Sequence, residues 1–120
     1  DRRSVFDWSL TDAPYARIVR DGDRVAGYSF GRGGRLFDQV GPVIARNDDI
    51  ARTLASSAIA EVGDRAVAID AYDRHERFTE WLRSIGFRPE RPLFRMSRGE
   101  WTSPPRGGLQ EYSIFGPDFG

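Results

Sequence analysis

The chain has 120 residues, with 18 basic and 18 acidic side chains, one histidine and no cysteine. That length suits one domain that buries about two thirds of its unfolded surface, and a net charge of zero argues against a general nucleic-acid or anionic-membrane binder. The absence of cysteine excludes disulfide scaffolds, thiol nucleophiles and cysteine-based metal centres, and a lone His75 leaves a multi-histidine centre without ligands, so no metal is expected.

Every basic residue is arginine, which removes Schiff-base lysine chemistry and a P-loop lysine. The apolar runs are too short to span a bilayer and no signal peptide is visible, so a cytoplasmic location without a membrane partner is expected. The first residue is Asp1 rather than methionine. The expectation is one domain over residues 1–120, the C-terminal part of a longer protein.

In chain order, Val5, Phe6, Trp8 and Leu10 form a weakly amphipathic stretch closed by Asp12-Ala13-Pro14, which predicts a short helix. Residues 15–20 and 24–30 read as strands joined at Asp21-Gly22-Asp23, a hairpin signal. Gly31-Arg32-Gly33-Gly34 makes the next turn, as a glycine cluster between strands does. A third strand follows over residues 36–44.

The period then changes. Asn47 is placed to cap a helix over residues 48–62 whose Ile50, Leu54, Ala58, Ile59 and Val62 share one face. Gly63-Asp64 ends it, and Ala66-Val67-Ala68-Ile69 reads as a strand covered on both faces. Strand, helix and strand in succession predict a right-handed crossover between parallel neighbours.

Asp73 and Glu76 have capping-box spacing, and Phe78, Trp81, Leu82 and Ile85 then form a one-sided apolar stripe. Gly86 supplies the C-terminal stop. Residues 92–96 and 112–115 are two more predicted strands, with a loop over 101–108 between them. The fold class is therefore α+β, a mixed and mostly antiparallel sheet with one parallel, splayed strand pair and flanking helices. The splay leaves a crevice at the strand ends where a ligand can enter.

This order and spacing resembles the GNAT-fold N-acetyltransferases over about residues 15–98. The runs Gly41-Pro42-Val43-Ile44-Ala45, Trp81-Leu82 with Gly86-Phe87, Phe94-Arg95-Met96 with Gly99, and the ending Ile114-Phe115-Gly116-Pro117-Asp118-Phe119-Gly120 are similar to the degenerate C-terminal domain of tandem GNAT proteins. The resemblance implies acetyl-CoA as cosubstrate and acetyl transfer to an amine. It implies a pyrophosphate loop of an Arg or Gln, a Gly three positions on, and a Gly or Ala two further on, where backbone N–H groups at a helix start hold the phosphates. The matching positions are Arg46, Asp49 and Ala51. Arginine and alanine keep the pattern; Asp49 departs from it, and with Asp48 it sets two carboxylates where phosphates would lie. Acidic residues in a first helical turn also stabilise the helix itself.

A family tyrosine that reprotonates the departing thiolate matches Leu82 here, whose spacing marks it as core. The nearest phenol is Tyr72, after the fourth strand. A base is needed to deprotonate the acceptor ammonium, and Asp38 and Asp70 are the carboxylates that flank the expected groove. His75 falls where many family members carry asparagine near the cofactor. The expected function is a domain of an acetyl-CoA-dependent N-acyltransferase, this segment being its less catalytic half. The acceptor is a small-molecule or protein amine reached through the parent protein, and an upstream GNAT domain or a homodimer partner is the expected neighbour. The alternative is a non-catalytic GNAT-like module for dimerisation or small-molecule binding.

Overall fold

A computed structural model describes residues 16–92, 94, 96, 98, 99 and 107–114. The element order is β1 (Arg17–Asp21), β2 (Arg24–Arg32), β3 (Asp38–Ala45), α1 (Asp48–Val62), β4 (Val67–Ala68), α2 (Glu76–Ser84) and β5 (Gln110–Ser113). Gly22, with φ +61°, and Asp23 make the two-residue turn between β1 and β2, a backbone conformation that costs glycine least. The predicted helix before Pro14 lies outside the described residues.

The strands follow the path β1-β2-β3-β4, with β5 also paired to β3. β3 and β4 run parallel, while β1–β2, β2–β3 and β3–β5 are antiparallel. β2 runs along one flank of β3, so β4 and β5 share the other. β4 pairs with its first residues, Asp38 and Gln39, and β5 with its last, Val43 to Ala45. β5 is also stitched to the chain beyond β4, because Tyr72 N–H donates to the Tyr112 carbonyl and Ile114 N–H to that of Asp70, each at 3.0 Å.

All eight residues of β3 are buried, which makes it the central strand. α1 crosses the sheet with Ala51, Leu54, Ala55, Ala58 and Val62 inward. Its close approach needs Gly27 on β2: a Cβ there would lie 2.8 Å from Ile50 Cγ2 and 2.9 Å from the Ile44 carbonyl oxygen. Phe78 and Leu82 of α2 and Tyr112 of β5 complete the same apolar cluster. Asn47 caps α1, its side-chain oxygen accepting from Ile50 N–H at 3.0 Å. α2 ends in a Schellman motif, with Gly86 N–H on the Arg83 carbonyl and Phe87 N–H on that of Leu82.

The structure corrects several expectations. β3 starts at Asp38, and Leu36 and Phe37 lie exposed in the preceding bend, because pairing begins only where Asp38 N–H meets the Ala66 carbonyl. β4 is half-buried rather than covered on both faces, because it is the outermost strand of the path. α2 starts at Glu76 with His75 as its N-cap; Asp73 instead lies in a turn closed by His75 N–H on the Tyr72 carbonyl. Pro92, Phe94 and Met96 are outside any strand, the last two fully exposed; Leu93 and Arg95 are outside the described residues. Trp81, expected in the core with Leu82, is half-buried, and Ile85 has left the helix and is exposed.

Candidate functional site

Where β3 ends, the chain turns through Arg46 and Asn47 into α1. Opposite it, the turn after β4 delivers Arg74 and His75 to the start of α2, and β5 runs between the two. The result is an open cleft of about 440 Å³ whose lining includes Arg46, Asp48, Arg74, His75, Gln110 and Tyr112. A second recess of about 610 Å³ continues between α1 and α2 past Asp49, Arg52, Glu80 and Trp81. The Arg52 guanidinium sits 5.4 Å from the centre of the Trp81 ring and ties the helices together across it.

The floor of the cleft is aromatic. His75 stacks on Tyr112 at a centroid distance of 3.9 Å, and Phe78 meets Tyr112 edge-on at 5.3 Å. The Tyr112 hydroxyl donates to Asp48 Oδ1 at 2.9 Å. Burial, then that hydrogen bond and the Asp48 charge, hold the phenol well above its ordinary range, so it stays a donor at neutral pH. His75 Nε2 lies 3.0 Å from the Glu111 carbonyl, which only accepts, and 3.5 Å from Arg74 Nε, which only donates; the shorter contact is a hydrogen bond in the tautomer that carries its hydrogen on Nε2. Burial is the largest influence on the imidazole and lowers its pKa; Arg74 lowers it further, against the raising effects of the Glu111 carbonyl and Asp48. The ring is therefore neutral at neutral pH.

The sequence-predicted residues distribute as follows. Arg46 reaches the rim of the cleft, exposed and paired with Asp21 at 3.1 Å. Ala51 is in the core, where a small residue lets α1 approach the sheet. Asp49 is exposed at the second recess. Asp38 lies at the other end of β3 from the cleft, 1% exposed, accepting from Gly34 N–H and the Arg65 guanidinium. Asp70 accepts from Gln39 Nε2 at 3.1 Å. The Tyr72 phenol donates to Glu111 Oε1 at 2.7 Å, with the Arg74 guanidinium 4.5 Å from its ring centre. The fold thus brings Arg46 and His75 together at the cleft and gives Asp38, Asp70 and Tyr72 partners elsewhere.

Tyr112 and Glu111 were not singled out by sequence reasoning. Glu111 precedes the strand predicted over 112–115, and the polar run Gln110-Glu111-Tyr112-Ser113 carries no signal that its carboxylate is buried, yet it is 6% exposed and accepts from the Tyr72 hydroxyl. Among the described residues no three or more His, Cys, Asp or Glu side chains converge to hold a metal ion. Among them no helix is long and apolar enough to cross a membrane.

A mixed sheet with one parallel step, its crossover helix starting beside the splay, is an α+β domain consistent with the GNAT fold. Residues 1–110 match the family described as the Acetyltransferase (GNAT) domain, and the chain belongs to that family. No curated protein and no solved structure gave a match.

Proposed function

We propose that this chain is the non-catalytic half of an acetyl-CoA-dependent N-acyltransferase, a GNAT domain that leaves the cofactor and the transfer of the acetyl group to another GNAT domain of its parent. The observation that carries this reading is the position of β5. The crevice opened by the parallel step is filled by residues 110–113, hydrogen-bonded on one side to β3 and on the other to the chain beyond β4. An extended ligand arm entering the splay would need those same backbone edges.

The phosphate end fits no better. Ile50 and Ala51 N–H groups at the start of α1 are taken by the Asn47 side chain and carbonyl, and Asp48 and Asp49 add two negative charges. At an effective dielectric near 20, one such charge about 5 Å from a phosphate charge opposes it by roughly 3 kcal/mol before screening. The residues present therefore do not fit acetyl-CoA, and no step is assigned to this cleft. The acceptor, a small-molecule or protein amine, would belong to the parent's other domain.

Calorimetric titration with acetyl-CoA tests this. The wild-type chain is expected to give no heat of binding at micromolar concentrations. Asp48→Asn and Asp49→Gly are expected not to restore binding, because β5 still fills the crevice. Micromolar binding by the wild type would overturn the reading.

A further inference from the structure

One half-buried ring joins three elements. His75 is the N-cap of α2, yet its side chain makes no capping bond to that helix. It lies instead on β5, stacked on Tyr112 with Nε2 on the Glu111 carbonyl. Tyr112 in turn donates to Asp48 in the first turn of α1. Beyond His75 the first buried residue of α2 is Phe78, and Glu76 and Arg77 between them are exposed. The imidazole therefore fastens the start of α2 to the strand.

This fastening can gain a proton, and its surroundings decide what the proton does. A protonated ring still donates to the Glu111 carbonyl, so that contact survives; what changes is the charge. The Arg74 guanidinium lies 3.5 Å from Nε2, and Arg46 and Arg77 line the same cleft. The positive end of the α2 dipole adds to them. On the other side stand Asp48, which already accepts the Tyr112 hydroxyl hydrogen, and the exposed Glu76 and Asp73. The Glu111 carboxylate is engaged by the Tyr72 hydroxyl. A cation also loses water when it stacks on Tyr112, so the ring takes a proton more readily off β5 than on it. Leaving β5 breaks neither the β3–β5 pairs nor the packing of Phe78 and Leu82. We propose that His75 is a pH-sensitive latch: neutral, it holds the start of α2 on β5, and protonated, it releases that start as a local unit while the sheet stays folded. The latch does not depend on whether the chain handles acetyl-CoA.

Hydrogen exchange of the full chain between about pH 7.5 and about pH 5.5, corrected for intrinsic exchange rates and repeated in low urea, tests this. The His75 and Thr79 amides donate to the Tyr72 and His75 carbonyls and report on the latch; those of Tyr72 and Ile114 report on β5. His75 and Thr79 are expected to exchange through an opening that urea hardly affects, and to do so about threefold or more faster at the acidic end. His75→Phe keeps a ring on Tyr112 and is expected to abolish that acceleration. Nuclear magnetic resonance of the wild-type ring is expected to give a titration midpoint below the ordinary 6.5. Exchange that does not quicken on acidification, or that quickens equally in His75→Phe, would overturn the proposal. So would a midpoint at or above 6.5. Protection and urea dependence equal to those of Tyr72 and Ile114 would make the opening global and overturn it as well.

Discussion

His75 is the one histidine of the chain, so its titration can be followed without overlap. Its folded pKa lies below the ordinary 6.5, with burial as the main cause. Well above pH 6.5 the ring is neutral in both folded and unfolded chains. As pH falls below 6.5 the unfolded chain takes up the proton first, so stability declines until the folded pKa is passed, and then levels. Denaturant midpoints measured across this range are expected to fall on acidification, and His75→Phe, which keeps a ring on Tyr112, is expected to remove that part of the slope. The stacked partner gives a second outcome. Tyr112→Phe deprives Asp48 of its donor but keeps the ring, and urea titration is expected to show a loss of about 1–2 kcal/mol. Neither residue acts on a substrate in this account; both hold β5 against the starts of the two helices.

Among the elements, α2 depends most on its tertiary contacts, since nine residues make a helix too short to persist alone. It is held by Phe78 and Leu82 inside the cluster and by the Schellman turn at its end. Leu82→Ala is expected to cost about 2–5 kcal/mol in chemical denaturation, the lost transfer energy plus a cavity. Trp81→Ala is expected to cost less, because its ring is half-buried beside the recess and its removal leaves less of a void. α1 has more local support, with an asparagine cap, two carboxylates in its first turn and the Gly63 stop.

At the scale of the whole molecule, β5 ties the end of β3 to the chain beyond β4. Its seat includes Gly41, where an added Cβ would collide with the Ile114 carbonyl oxygen just beyond β5. Val43 N–H also donates to Ser113 Oγ at 3.0 Å, a contact between residues 70 positions apart. Gly41→Ala is expected to push β5 off β3. Hydrogen exchange of the Tyr72 and Ile114 amides, which pair β5 with the chain beyond β4, is then expected to accelerate about tenfold or more, while the β1–β2 hairpin amides stay protected.

The α1 boundaries, the Asn47 cap, the Gly22 turn and the stop at Gly86 were legible in the sequence because each rests on contacts within about five residues. The parallel step was legible too, since a helix between two strands leaves little other topology. The sequence also marked Asp48 and Asp49 as charges in the wrong place for phosphate. It did not reveal where residues 110–113 pair, because alternation marks a strand without naming its neighbour. Tertiary pairing alone placed that strand in the crevice. The same long-range pairing set Asp38 beside Arg65 at the far end of β3, and it stacked His75 on Tyr112. Local free energies are written in neighbouring residues, whereas the partner of a strand edge or a buried charge is chosen by the whole fold.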